Sequence, residues 1–146
     1  PGQSQCTECP AGSIADSPGQ SQCTACPVGT IAVSAGQYQC TECLAGTIAE
    51  STGKSQCTEC PAGKGSQSGA MQCSICQIGK FAGGAMPCTV CPSGRVAGSP
   101  GQAQCTECLA GTIADSPGQS QCTECPVGTV AESPGEAVCT PCAAGS

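Results

Sequence analysis

The chain has 146 residues, ten acids against four bases and a net charge of −6, which argues against nucleic acid and anionic membrane surfaces as partners. Leu, Ile, Val and Phe together number 16, about 11% of the chain and too few for an ordinary packed core. The 18 Cys, about 12%, mark a disulfide scaffold instead, and place the chain outside the cytosol, secreted or at a cell surface. No apolar run is long enough to insert into a membrane. The chain opens mid-phrase at PGQSQC and stops mid-phrase at CAAGS, and reads as a segment or subunit of a longer assembly.

Cys pairs spaced C-x-x-C fall at 6/9, 23/26, 40/43, 57/60, 73/76, 88/91, 105/108, 122/125 and 139/142. The interval is 17 residues, shortened to 16 at the fourth step and 15 at the fifth. A fixed period of this kind is the mark of a repeat array, here one continuous array over residues 1–146. Within each phrase, Pro follows the second Cys (Pro10, Pro27, Pro61, Pro92, Pro126) and predicts an edge or turn. Gly comes two residues later, at positions such as Gly12, Gly29 and Gly46, where positive φ is open to it. A short apolar step follows at Ile14, Ile31, Ile48, Phe81, Val96, Ile113 and Val130, enough for a strand of three or four residues. Ser-Pro-Gly at 17–19, 99–101, 116–118 and 133–135 then predicts a type II β-turn.

The predicted fold is therefore small and disulfide-rich, mostly loops and short β-hairpins, without helices and without a global hydrophobic core. About nine 17-residue repeats, each touching only its neighbours, would form an elongated tandem-repeat rod.

Three chemistries compete for the C-x-x-C pairs. A redox dithiol needs a depressed thiol pKa, usually at a helix N-terminus in a βαβ context, and Gly or Pro interrupts every window that might form that helix. Zinc fits the C-x2-C-x13-C-x2-C spacing, but nine pairs leave one over. Four thiolates per ion would also carry a net −2 with no His and few bases to offset it. Structural disulfides are favoured, with neither metal nor cofactor, although spacing alone does not settle which Cys joins which.

The words C-P-x-G-T, a loop of about a dozen residues and C-T-x-C resemble the cysteine-rich repeats of ephrin-receptor-like ectodomains. They are also similar to the first half-module of tumour-necrosis-factor-receptor repeats. The resemblance implies that the Cys before Pro closes a loop to the Cys opening the next pair. Carried over, the bonds are Cys9–Cys23, Cys26–Cys40, Cys43–Cys57, Cys60–Cys73, Cys76–Cys88, Cys91–Cys105, Cys108–Cys122 and Cys125–Cys139. Cys6 and Cys142 are left over, for pairing with repeats outside this segment or between subunits. The chain departs from the family in having Ile or Val where its modules usually carry Tyr or Phe.

Charge is uneven along the array. Residues 1–59 carry five acids and one Lys, residues 60–106 no acid and three bases, and residues 107–146 five acids. The bases Lys64, Lys80 and Arg95 stand where other phrases have Thr or Ser after Gly, which suggests a lateral contact with an acidic flank of another copy. The competing reading is a solvated surface that drifted after duplication. Asn is absent, which excludes N-linked glycan. Thr7, Thr24, Thr41, Thr58, Thr106 and Thr123 inside C-T-x-C, and Thr30, Thr47, Thr112 and Thr129 after Gly, are candidates for O-glycosylation; local turn hydrogen bonding is their simpler role.

With no His and about one acid per repeat, neither a nucleophile with its base nor a carboxylate pair can be assembled, and the chain is not expected to be an enzyme. Two functions fit. The first is an extracellular structural rod or filament subunit assembling end to end. The second is a spacer or ligand-binding region of a receptor-like ectodomain.

Overall fold

A computed structural model describes residues 7–144, so Cys6 lies outside the described residues. The chain forms two compact units: residues 1–60 with 66–73, and residues 61–65 with 74–146. Each is built from the same loop. No helix occurs among the described residues; Gly and Pro at every turn of the phrase prevent one.

The hairpin begins at the C-P-x-G-T words. Ser13 N–H donates to Pro10 C=O at 3.1 Å, closing a turn in which Gly12 has φ 90°, the conformation a type II turn requires at its third residue. The next two residues then pair antiparallel with the two residues inside the following C-x-x-C. In the first unit these pairs are β1 (Ser13–Ile14) with β2 (Thr24–Ala25), β3 (Thr30–Ile31) with β4 (Thr41–Glu42), and β5 (Thr47–Ile48) with β6 (Thr58–Glu59). In the second unit β7 (Lys64–Gly65) pairs with β8 (Ser74–Ile75), and β9 (Lys80–Phe81) with β10 (Thr89–Val90). Three further hairpins follow there: β11 (Arg95–Val96) with β12 (Thr106–Glu107), β13 (Thr112–Ile113) with β14 (Thr123–Glu124), and β15 (Thr129–Val130) with β16 (Thr140–Pro141).

The strands are two residues long, shorter than the apolar step predicts. The third residue is already engaged elsewhere. Ala32 C=O accepts from Gly12 N–H of the loop before, and Ala32 N–H donates to Lys54 C=O of the loop after. A residue bonded to both neighbours has no main-chain group left for its own hairpin.

Among the described residues eight disulfides close the loops: Cys9–Cys23, Cys26–Cys40, Cys43–Cys57, Cys60–Cys73, Cys76–Cys88, Cys91–Cys105, Cys108–Cys122 and Cys125–Cys139. Miniature cores sit around three of these bonds, Cys43–Cys57, Cys91–Cys105 and Cys108–Cys122. In the first unit Ile31 of one loop covers Cys43 and Ala49 of the next, with Cys57 packed alongside. In the second unit Val96 does the same for Cys108, Ala114 and Cys122, and Phe81 packs on Cys91, Ala97 and Cys105. None of these three clusters extends beyond two loops.

Contacts between loops reach further than nearest neighbours, which corrects that expectation. Besides the Gly-to-Ala bond, Gly36 N–H donates to Cys9 C=O and Gly53 N–H to Cys26 C=O, tying each later turn to the start of the loop before. A Cβ built on Gly29 would lie 2.1 Å from Gly69 C=O, two loops on. Only a residue without a side chain lets the backbones approach so closely.

Candidate interaction surface

The hairpins present a repeated two-column face. One column is the residue after Gly; the other is the x of C-T-x-C, directly across the ladder. Thr30 faces Glu42 and Thr47 faces Glu59 in the first unit. In the second unit Lys64 faces Ile75, Lys80 faces Val90, Arg95 faces Glu107 and Thr112 faces Glu124. The x residue is exposed in every one of these pairs. The flanking cysteines turn inward to their disulfides, which leaves both residues between them facing solvent.

The three bases of the central block have different surroundings. The Arg95 guanidinium forms an ion pair with the carboxylate of Glu107 across its own hairpin, and is thereby committed within the chain. Lys64 and Lys80 are exposed opposite aliphatic side chains. The other ion pair among the described residues joins Lys54 to Glu50 at 3.2 Å, so the carboxylates of Glu42 and Glu59 have no cation within pairing distance. Composition alone identified the bases; it missed Ile75, Val90, Glu42 and Glu59 as the other half of the face. A signal was present, since x is Ile75 or Val90, not Glu, in the C-x-x-C that closes each of the two loops carrying Lys64 and Lys80.

The candidate Thr residues divide by structure. The hydroxyls of Thr30, Thr47, Thr112 and Thr129 donate to the C=O of Pro27, Leu44, Leu109 and Pro126 at 2.7–2.8 Å, bracing the turn. Thr7, Thr24, Thr41, Thr58, Thr106 and Thr123 are exposed within C-T-x-C.

Near Glu42, a shallow groove is lined by Ile31, Val33, Thr41, Leu44 and Thr47. Val33 and Leu44 are 64% and 76% exposed. Val33 stands where other phrases have Asp16, Glu50 or Asp115, so this groove is apolar where comparable positions are charged. Of the two leftover cysteines, Cys142 carries an exposed free thiol. Among the described residues no group of three or more His, Cys, Asp or Glu is placed to hold a metal ion, and no helix is long and apolar enough to cross a membrane.

These features define a class: a tandem array of disulfide-closed hairpin loops joined by main-chain hydrogen bonds. The family described as tyrosine-protein kinase ephrin type A/B receptor-like has a model that matches residues 1–36, a segment spanning the first two C-x-x-C pairs. No curated protein matches the chain.

Proposed function

We propose that this chain is the cysteine-rich spacer of a receptor-like ectodomain, working outside the cell and without catalytic activity. The observation that carries this reading is the recurring bond from Gly N–H to the Ala C=O of the next loop, 2.8 Å at Gly12–Ala32, Gly29–Ala49 and Gly79–Ala97. It adds a main-chain tie between loops that are each already closed by a disulfide, and resists bending where a flexible linker would yield. The family match over residues 1–36 supports a receptor-like setting. The C-P-x-G-T words keep the likeness to tumour-necrosis-factor-receptor half-modules within the same reading. Ligand binding by the repeats themselves has less support, since hot spots favour Trp, Tyr and Arg and the chain has one Tyr, one Arg and no Trp. Exposed Thr within C-T-x-C are the sites where O-glycan would be carried.

Electron microscopy of native, unreduced material tests the proposal. Separate particles, alone or attached to other domains, are the expected result. Continuous fibrils would overturn the spacer and establish an end-to-end filament subunit, with the exposed Cys142 thiol as the first candidate for a covalent joint.

A further inference from the structure

We propose that two copies of this chain associate through their hairpin faces, the Lys64–Lys80 face of one against the Glu42–Glu59 face of the other. The proposal is independent of the spacer reading. It rests on charges that the fold leaves unmatched and on two patches with the same spacing.

Lys64 and Lys80 occupy equivalent places on successive loops of the second unit, linked by the Gly63 N–H to Ala82 C=O bond at 2.7 Å. Glu42 and Glu59 occupy equivalent places on successive C-x-x-C segments of the first unit, where Gly29 N–H bonds Ala49 C=O at 2.8 Å. The same bond sets the step in both patches, so two Lys can meet two Glu in register. The hairpin of Arg95 and Glu107 shows the pairing already made within one chain. At Lys64 and Lys80 the acid across the ladder is replaced by Ile75 and Val90, so those bases lack an internal partner.

Shape follows the charge. Ile75 and Val90 stand 58% and 45% exposed beside the lysines, while Val33 and Leu44 line the groove next to Glu42. Aliphatic knobs flanked by cations thus match an apolar groove flanked by anions. Every copy carries both patches, and a dimer of identical chains closes when such a contact is made twice about a two-fold axis. A contact governed by such exposed charges weakens with salt.

Sedimentation velocity of the full, unreduced chain, with free thiols alkylated to exclude new disulfides, tests this. We expect a dimer at about 20 mM salt whose dissociation constant rises at least about tenfold by about 500 mM, where the Debye length drops below the roughly 8 Å of physiological conditions. Lys64→Thr with Lys80→Thr installs the residue other loops carry there, and should weaken the dimer about tenfold at low salt. Lys64→Glu/Lys80→Glu and Glu42→Lys/Glu59→Lys should each be monomeric alone and associate when mixed. A monomer at low salt, a dimer indifferent to the Thr variant, or folded charge-reversed chains that fail to associate on mixing would each overturn the proposal.

Discussion

Loop Cys43–Cys57 of the first unit and loop Cys76–Cys88 of the second share a motif, yet they hold their far ends by different means. The first spans a sequence separation of 14 and turns at Gly53, φ 75°, whose N–H donates to Cys26 C=O at 2.8 Å. The second spans 12 and turns through Gly84 and Ala85, with Ala85 at φ 51°. Its shorter path brings the main chain of Met86–Cys88 against Gly65, where a Cβ would lie 2.5 Å from Cys88 N. Gly65 occupies the place of Ile14, Ile31 and Ile48. Deleting residues from one loop is therefore matched by deleting a side chain from the loop before it. Loops in this array cannot be edited one at a time.

The largest expected effect tests close approach in the regular loops. Gly29→Ala combines φ 82° with a Cβ 2.1 Å from Gly69 C=O, and should cost about 4 kcal/mol from backbone strain and overpacking together. Gly128→Ala, at φ 89° with nothing within 4 Å, should cost only about 1–2 kcal/mol. Denaturant unfolding of both unreduced variants measures the difference; equal losses would remove the second-loop contact from the account.

Gly65→Ile restores the repeat's own consensus and should nevertheless destabilise, by about 3 kcal/mol, because the branched side chain meets the backbone of the shortened loop. A neutral or stabilising result in thermal unfolding would break the comparison at its centre. Removing the Cys76–Cys88 bond by paired Ala substitutions should cost about 3 kcal/mol, within a few tenths of the Cys43–Cys57 pair, since closure entropy barely distinguishes separations of 12 and 14. A larger gap in midpoint would have to come from the Ile31 and Ala49 packing on Cys43.

A smaller effect is expected at Ser66, buried where other phrases have Ala. Its hydroxyl accepts from Gly46 N–H and donates to Thr47 C=O, each at 3.0 Å. Ser66→Ala should cost about 1 kcal/mol, read as lost hydrogen-exchange protection at Gly46. The Gly46 N–H retains its bond to Ser66 C=O at 3.0 Å, which limits the loss. Least of all, Arg95→Thr should change stability by no more than about 1 kcal/mol, because both partners of its ion pair with Glu107 are about half exposed. A calorimetric shift beyond that would make the cross-strand pair a structural element.

Much of the loop was legible from local chemistry. C-P-x-G-T announces its own turn because Gly alone takes φ near +90° without strain, and its Thr hydroxyl has a carbonyl three residues back within reach. Ser-Pro-Gly predicts the second turn, and Gly19, Gly101, Gly118 and Gly135 do adopt φ of 75–81°. The Gln after that turn was not legible as a brace. Its side-chain carbonyl accepts from the Ser N–H three residues earlier, 3.2 Å at Gln20 and Gln119, and Gln in a polar loop carries no such mark. The spacing of cysteines left their connectivity open, which is why a resemblance was needed to suggest bonds.

By itself the sequence determined the repeat boundaries, the turns, the want of any large core and the uneven charge, because these depend on residue type and on neighbours a few positions away. Tertiary structure alone decided that strands stop after two residues, that Gly29 meets a loop two further on, that Gly65 makes room for Cys88, and that Lys64 and Lys80 face Ile75 and Val90 while Arg95 faces Glu107. The reason is geometric. A period of about 17 residues fixes what each loop is, whereas the step between loops is set by main-chain hydrogen bonds that use no side chain and therefore leave little trace in the choice of amino acids.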